Sequence, residues 1–279
     1  CDLVMATTFR LALGHFHTSH GGNLCHFVQG YEGDYAELQH FQQDIDRAYN
    51  LPIPKLTVSP NLAHRLGGKY PEGSFISVGQ GLEKEAFYPP QSWSKRFQVQ
   101  PESIFLVGPS SISIKQIELG LKAYVMARKR CPHLEMVRIS TVDTQAREEA
   151  LTGTIDEYHV HIPASRIGEL YRRKNGILLA PSGPGEGFGL PPLEAMACAV
   201  PVVMTDIPSF RSFARPVDYA RFVRHNDPAD MAQGVYELIT EVKTRKHLVQ
   251  RGLQVAAEYS YDKMAERLEQ FVQTRGIQQ

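Results

Sequence analysis

The chain has 279 residues, of which 42% are hydrophobic and 22% are charged, so it can bury one large core or two smaller ones and is not disordered. Thirty basic and 30 acidic residues give zero formal net charge, which argues against a dedicated nucleic-acid binder because that function needs a basic face. No run approaches the roughly 18 apolar residues that a membrane-spanning helix requires.

The first third of the chain alternates short apolar runs with helical patterns. The predicted strands cover residues 3–6, 23–28, 55–59 and 75–78. The predicted helices cover residues 9–17, 35–49 and 61–69. Gly21-Gly22 marks a turn before the second strand, and Pro52 and Pro54 end the middle helix because proline has no amide donor.

The rest of the chain repeats this alternation after a segment rich in glycine and proline. Its predicted strands cover residues 104–107, 135–139, 176–180 and 201–205. Its predicted helices cover residues 117–130, 166–173, 191–198, 231–244 and 261–274. The pattern predicts an α/β protein with two Rossmann-like domains and mostly parallel sheets. We place the boundary within residues 88–100, giving domains at 1–90 and 91–260 and a final helical segment at 261–279.

The most informative segment follows the strand that ends at Ala180. Four glycines allow the backbone there to approach a ligand closely: Gly183, Gly185, Gly187 and Gly189. A helix then begins near Pro191 and Pro192, a position that suits proline because first-turn amides have no partner within the helix. These amides and the helix dipole favour phosphate, at the carboxyl end of a parallel strand where α/β proteins bind ligands.

Two carboxylates accompany this phosphate-binding pattern. Glu186 lies in the loop and Glu194 on the helix, and a carboxylate can accept two hydrogen bonds from a sugar diol. Together they predict a nucleotide-sugar site. The alternative is an ordinary strand–helix turn with surface glutamates, since a glycine-rich loop alone is a weak signal.

The segment Glu186-Gly-Phe-Gly-Leu-Pro-Pro-Leu-Glu194 resembles the Glu-x7-Glu signature of family 4 retaining glycosyltransferases, which have the GT-B fold. Ile104–Gly108 resembles the first strand of that family's donor domain, and Tyr259-Ser-Tyr261 the lead into its last helix, which crosses back to the first domain. The resemblance is strong over residues 100–272 and fainter over residues 1–90. Because the family's first domain begins earlier, we expect this chain, which opens at Cys1, to lack its first strands.

The resemblance implies transfer of a sugar, of hexosyl type, from a nucleotide-diphosphate sugar to an acceptor hydroxyl with retention of configuration. Glu186 would bind the sugar hydroxyls and Glu194 the ribose. The donor phosphate and sugar would be held at the amides of Gly187, Phe188, Gly189 and Leu190, with Gly108 completing the donor site. The reaction would need no metal and no cofactor, because cations and oriented amides stabilise the leaving diphosphate.

The chain departs from the family pattern after Gly108. The family has an arginine next and a lysine six residues after the glycine, whereas this chain has Pro109 and, seven residues on, Lys115. A loop longer by one residue still lets Lys115 reach the phosphates, so we assign Lys115 and Glu186 as catalytic residues. The alternative for Lys115 is a solvated lysine at a helix start.

Two patterns typical of metal sites have simpler explanations. Asp44-Ile-Asp46 matches a DxD motif, but a helix would point the two carboxylates about 200° apart, which favours a solvated helix face. His15, His17 and His20 lack a fourth ligand and are interpreted as exposed loop histidines.

The leading hypothesis is therefore a glycosyltransferase in cell-surface polysaccharide or glycoconjugate synthesis, with a nucleotide sugar and a glycan or glycolipid acceptor as partners. The alternatives are a non-catalytic nucleotide-sugar-binding module and another GT-B enzyme such as a nucleotide-sugar epimerase. Four cysteines without paired spacing favour a cytoplasmic location. The basic run Ala127–Arg130 leaves peripheral contact with the inner face of the membrane as a minority interpretation.

Overall fold

The computed structural model describes residues 3–18 and 23–274, arranged as two α/β units. The predictions that involve Cys1, His20 and Gly21-Gly22 lie outside the described residues. The first unit comprises residues 1–81, 185–188 and 260–279, and the second comprises residues 82–184 and 189–259.

The first unit contains a four-stranded parallel sheet in the order β1-β2-β3-β4. Its strands are β1 (Val4–Ala6), β2 (Leu24–Val28), β3 (Pro54–Thr57) and β4 (Ser74–Ser77). Its first helices are α1 (Phe9–Thr18), α2 (Gln42–Asn50) and α3 (Pro60–Lys69). Ser59 caps α3 by accepting a hydrogen bond from the Leu62 amide at 3.1 Å, and Pro60 occupies the first turn, so the sequence itself defines this helix start.

The helix predicted over residues 35–49 is shorter in the structure. Two 3-10 turns, Glu32–Asp34 and Ala36–Phe41, precede α2. On α2, the Asp44 carboxylate pairs with Arg47 at 3.4 Å. Asp46 is not on a solvated face as predicted, because its Oδ1 accepts hydrogen bonds from Gln42 at 2.9 Å and Tyr70 at 2.5 Å. The polar pattern of the sequence did not show that Tyr70, at the C-terminal end of α3, would contact Asp46.

The second unit contains a six-stranded parallel sheet in the order β10-β9-β8-β5-β6-β7. Its strands are β5 (Ser103–Val107), β6 (Glu135–Ser140), β7 (Glu157–Val160), β8 (Gly176–Ala180), β9 (Val202–Thr205) and β10 (Arg221–Val223). Its helices are α4 (Ile117–Arg130), α5 (Gln145–Thr152), α6 (Ala164–Arg173), α7 (Leu190–Ala197), α8 (Pro208–Arg211), α9 (Pro228–Thr240) and α10 (Val242–Ala257). This is the strand order of a doubly wound Rossmann-like sheet, and the order reverses between β5 and β8.

The core of the second unit lies between its sheet and the helices α4 and α9. Every residue of β8 and β9 is buried, as expected for strands covered on both faces. One ion pair is fully buried in this unit: Arg138 on β6 donates to both Glu148 carboxylate oxygens, at 2.8 and 3.0 Å. The guanidinium also donates to the Leu106 carbonyl at 3.1 Å, so its charge is well compensated.

The last helix, α11 (Tyr261–Thr274), belongs to the first unit. Its Phe271 packs in a buried cluster with Cys25, Leu56 and Val78. Arg267 on the same helix donates to the Val78 carbonyl at 3.3 Å. The C-terminal segment is therefore part of the core of the unit formed by the beginning of the chain.

None of the helices within residues 3–18 and 23–274 combines the length and apolar character that crossing a bilayer requires.

Candidate functional site

The loops at the carboxyl edge of the second sheet are tied together at the point where the strand order reverses. The Gly183 amide, after β8, donates to the Ile114 carbonyl, in the connection after β5, at 2.7 Å. Thr205 at the end of β9 donates through its hydroxyl to the Ser182 carbonyl at 2.5 Å. Such a reversal point opens a crevice above the sheet, which is the general ligand site of doubly wound folds.

The connection after β5 accommodates the extra residue before Lys115. A 3-10 turn spans Ser113–Lys115, and Gln116 then adopts a left-handed conformation with φ 45° at the start of α4. As a result Lys115 folds back over Gly108. A Cβ added to Gly108 would lie 3.7 Å from Lys115 Cγ. The structure therefore brings the two predicted residues together despite the longer spacing.

Glu194 lies on α7 and is half-buried. Burial and the nearby Glu83 carboxylate raise its pKa to about 7, and the charge of Lys115 partly opposes this shift. Glu194 in turn contributes, after burial, to raising the pKa of Tyr171 on α6. The Tyr171 hydroxyl is buried and has no hydrogen-bond partner within the described residues. Glu83 and Tyr171 are thus site neighbours. The segment Glu169-Leu-Tyr171 resembles the family's approach to its signature, but Tyr171 was assigned no role in the site from the sequence, and Glu83 was not singled out.

The start of α7 is formed by glycine and proline. Gly189, the N-cap residue, has φ 97°, and an added Cβ would lie 2.3 Å from a ring carbon of buried Phe210. No side chain caps this helix start. Pro191 and Pro192 have no N–H, so the amides that this helix start can offer to an anion are those of Gly189 and Leu190.

Residues 185–188 belong to the first unit and pack against the loop after β2. A Cβ on Gly187 would lie 2.1 Å from the Gln29 carbonyl oxygen, so only glycine fits this close approach. The Ser59 hydroxyl donates to the Gly187 carbonyl at 2.9 Å. Glu186 is 8% exposed and Phe188 is 5% exposed.

The predicted site residues therefore fall into two groups. Gly108, Lys115 and Glu194 converge in the second unit, where Gly189 and Leu190 also begin α7. Glu186, Gly187 and Phe188 are held within the first unit. Within residues 3–18 and 23–274, no group of three or more His, Cys, Asp or Glu side chains is arranged to hold a metal ion.

Two cavities flank the carboxyl edge of the second sheet. One, of about 280 Å³, is lined by residues that include Gly108, Ser140, His161 and Pro163. A larger one, of about 420 Å³, lies at the starts of α4 and α5 and is bordered by Ser113, Lys122 and Arg147 among others. The smaller cavity borders Gly108 and therefore adjoins the group around Lys115.

Comparisons with known proteins show similarity to glycosyltransferases over part of the chain. Residues 140–255 match the family described as glycosyl transferases group 1. The serotype-specific mannosyltransferase WbdA of Escherichia coli is 35% identical over 81 residues, 29% of this chain and 9% of that protein. The phosphatidyl-myo-inositol mannosyltransferase of Mycobacterium leprae is 28% identical over 102 residues, 37% of this chain and 27% of that protein. The match thus spans a small part of each relative.

Solved structures show the fold over nearly the whole chain. Sucrose-phosphate synthase from Thermosynechococcus elongatus superposes with a TM-score of 0.79 at 15% identity, covering 98% of this chain and 73% of that one. HepE from Anabaena, in complex with UDP-glucose, gives a TM-score of 0.78 at 13% identity, covering 98% and 79%. The predicted α/β architecture of GT-B type is confirmed. The similarity to group 1 glycosyltransferases is carried by residues 140–255.

Proposed function

We propose that this chain transfers a sugar from a nucleotide-diphosphate sugar to an acceptor hydroxyl with retention of configuration, without a metal or other cofactor. The observation that carries the proposal is the convergence of Lys115 and Glu194 beside the uncapped start of α7, at the reversal point of the second sheet. A cation, a carboxylate and oriented amides in one place match the parts of a nucleoside diphosphate.

The donor is assigned to these groups one part at a time. The diphosphate lies at the start of α7, with Lys115 balancing its charge. The ribose hydroxyls donate to Glu194, and the cavity bordered by Ser140 and His161 receives the base. Glu186 accepts hydrogen bonds from the sugar, and the backbone of residues 187–190 holds the phosphate and the sugar.

The reaction follows from this arrangement. The sugar–phosphate bond breaks, the anomeric carbon bonds to the acceptor oxygen, and the acceptor's proton leaves with the diphosphate or to solvent. Negative charge grows on the diphosphate as the bond breaks, so Lys115 and the α7 amides stabilise the transition state more than the ground state. Retention of configuration rests on the resemblance of residues 186–194 to the Glu-x7-Glu signature.

The acceptor we propose is a glycan or glycolipid, in synthesis of a cell-surface polysaccharide or glycoconjugate on the cytoplasmic side of the membrane. The mannosyltransferases among the relatives make a nucleotide-diphosphate mannose the first donor to test. The buried free thiols of Cys131 and Cys198 are compatible with a reducing compartment.

The test begins with thermal unfolding in the presence of GDP-mannose, UDP-glucose, UDP-N-acetylglucosamine and their nucleoside diphosphates. A ligand that binds only the folded protein raises its free energy of unfolding by about 2.7 kcal/mol at 100 times Kd. The stabilising donor is then assayed for hydrolysis and transfer. Glu194→Ala is expected to weaken nucleoside diphosphate binding, whereas Glu186→Ala mainly lowers turnover. Glu85→Ala, an exposed neighbour of Glu83, is the matched control.

Two outcomes would go against the proposal. Absence of stabilisation by every nucleotide would remove the donor site. Stabilisation without hydrolysis or transfer would favour a non-catalytic binding module, an alternative that Pro109 supports because it places no cation where the family has arginine.

A further inference from the structure

The loop that follows β2 is held rigidly in the first unit. Its Tyr31 is 2% exposed, and the Tyr31 hydroxyl receives a hydrogen bond from Lys69 Nζ at 2.5 Å. The same hydroxyl lies 2.7 Å from the Tyr70 hydroxyl. Further along the loop, Asp34 pairs with Arg65. Side chains from α3 and its end thus fix the backbone of residues 29–35.

Tyr35 closes this loop by placing its hydroxyl on Gly30. A Cβ on Gly30 would lie 2.3 Å from the Tyr35 hydroxyl oxygen, so the glycine is needed for the phenol to lie there. The backbone at Gly187 reaches the same place, since its Cβ position lies 2.9 Å from Gly30 Cα. The Tyr35 hydroxyl and the backbone of Gly187, the residue after Glu186, therefore lie against one glycine, and all of these residues belong to the first unit.

The electrostatics of Tyr35 agree with this placement. Burial raises the pKa of its phenol above the ordinary value, and the next contribution comes from the negative charge of Glu186. Smaller contributions come from Glu32, Asp34 and Glu37. A phenol with a raised pKa stays protonated at neutral pH, so it acts as a hydrogen-bond donor towards a carboxylate.

We propose that Tyr35 is a positioning residue whose hydroxyl, supported on Gly30, holds the Glu186 side chain in the orientation that receives the donor sugar. The inference rests on the proposed function for the role of Glu186. In this proposal a side chain from the loop after β2 determines the orientation in which Glu186 binds the sugar. Tyr35 acts through Glu186 and is not itself placed on the reacting atoms.

The first test is a double-mutant cycle in the full chain with the donor that stabilises it. Tyr35→Phe is expected to lower kcat roughly tenfold or more, because it removes the hydroxyl that we propose donates to the Glu186 carboxylate, with little change in the Kd for the nucleoside diphosphate. Combined with Glu186→Gln, it should add nothing further. Multiplicative effects in the cycle, or an unchanged kcat in Tyr35→Phe, would overturn the proposal.

The second test does not need turnover. Tyrosine is labelled with ¹³C at the ring carbon that carries the hydroxyl. The NMR signal of Tyr35 is the one that disappears in Tyr35→Phe. Glu186→Gln should shift this resonance and lower the pH at which it titrates, whereas Glu85→Gln should leave it unchanged. If Glu186→Gln changes neither the chemical shift of Tyr35 nor the pH at which it titrates, the pairing is refuted, even in an active enzyme.

A third variant separates positioning from packing. Gly30→Ala keeps both side chains but displaces the Tyr35 hydroxyl, so it should reproduce the kcat loss and the altered resonance of the pair. Melting temperatures of all variants show whether any has lost its fold. If no donor is turned over, the proposed function fails, and the resonance of Tyr35 still decides whether it holds Glu186.

Discussion

At the scale of single residues, Glu194 links donor binding to pH. Its pKa of about 7 means that the carboxylate becomes the main form only as the pH rises past neutrality. In the proposed donor site the ribose hydroxyls donate to the carboxylate, so wild-type affinity for the nucleoside diphosphate should rise between pH 6 and pH 8. Glu194→Gln should lose about 1.5–3 kcal/mol of binding at pH 8 and less at pH 6, measured by calorimetric titration.

The phosphate groups of the ligand also titrate near pH 6, but their titration affects the wild type and Glu194→Gln equally. The ratio of the two Kd values therefore reports the contribution of Glu194 alone. A ratio that stays constant with pH would contradict the assignment. In the absence of ligand, a rise in pH has the opposite kind of effect: it lowers the stability of the folded protein. A raised pKa makes the folded state less stable as the pH increases from about 4.5 to about 7, and Glu194→Gln should remove that dependence.

The family resemblance named Gly108, Lys115 and Glu194, and the structure places them near one another, while their roles stay a prediction. It did not identify Glu83, whose effect on Glu194 depends on how residues 82–90 fold back within the second unit. The sequence pattern also assigned Asp46 to solvent, because the contact with Tyr70 joins residues 24 positions apart. Residue roles that depend on such distant contacts were not accessible from local patterns.

At the scale of elements, the start of α7 depends on the conformation of Gly189. Gly189→Ala forces a side chain into φ 97° and against Phe210, so it should cost about 1–3 kcal/mol of stability and weaken nucleoside diphosphate binding. The measurements are urea unfolding and calorimetric titration. Gly67→Ala is the matched control, because Gly67 lies within α3 with nothing within 4 Å of its Cβ position. That change should be neutral or slightly stabilising, and an equal loss in both variants would argue against a special role for α7.

Elements with strong periodicity were predicted closely, and marginal ones were not. The limits of α4, β8 and α11 agree with the structure, because long amphipathic patterns and a buried apolar run give clear signals. The sequence missed β7 and β10, the two edge strands of the second sheet, whose residues are mostly half-buried and polar. It also missed α5, α8 and nearly all of α10, although α10 is long. The helix predicted over residues 231–244 runs across Glu241, where φ −98° and ψ 80° separate α9 from α10.

At the scale of the whole molecule, donor binding should leave a local pattern of protection. With a saturating nucleoside diphosphate, amide hydrogen exchange should slow in residues 107–118 and at the start of α7, while α10 in the same unit stays unchanged. Residues 110–118 border both sites, so protection at the start of α5 without protection at the start of α7 would instead place the nucleotide in the 420 Å³ cavity and contradict our assignment.

The two-unit organisation was accessible from the sequence, but its limits were only approximate. We expected a boundary within residues 88–100, whereas the structure changes unit after Gly81 and assigns residues 82–90 to the second unit. Proline and glycine in that segment do not form a free linker, since the Ala86 carbonyl accepts a hydrogen bond from Arg172 on α6 at 2.6 Å. Composition indicates where a chain turns, and only tertiary contacts show which core it joins.

The burial of Glu194 has a calorimetric consequence. Near pH 7, roughly half of the unliganded molecules carry a proton on this side chain, and a ligand that requires the carboxylate must expel it. Donor binding would then release this proton to the buffer. The apparent enthalpy of binding would therefore change with the ionisation enthalpy of the buffer. Titrations in phosphate and in Tris should differ accordingly for the wild type and should converge once residue 194 is glutamine.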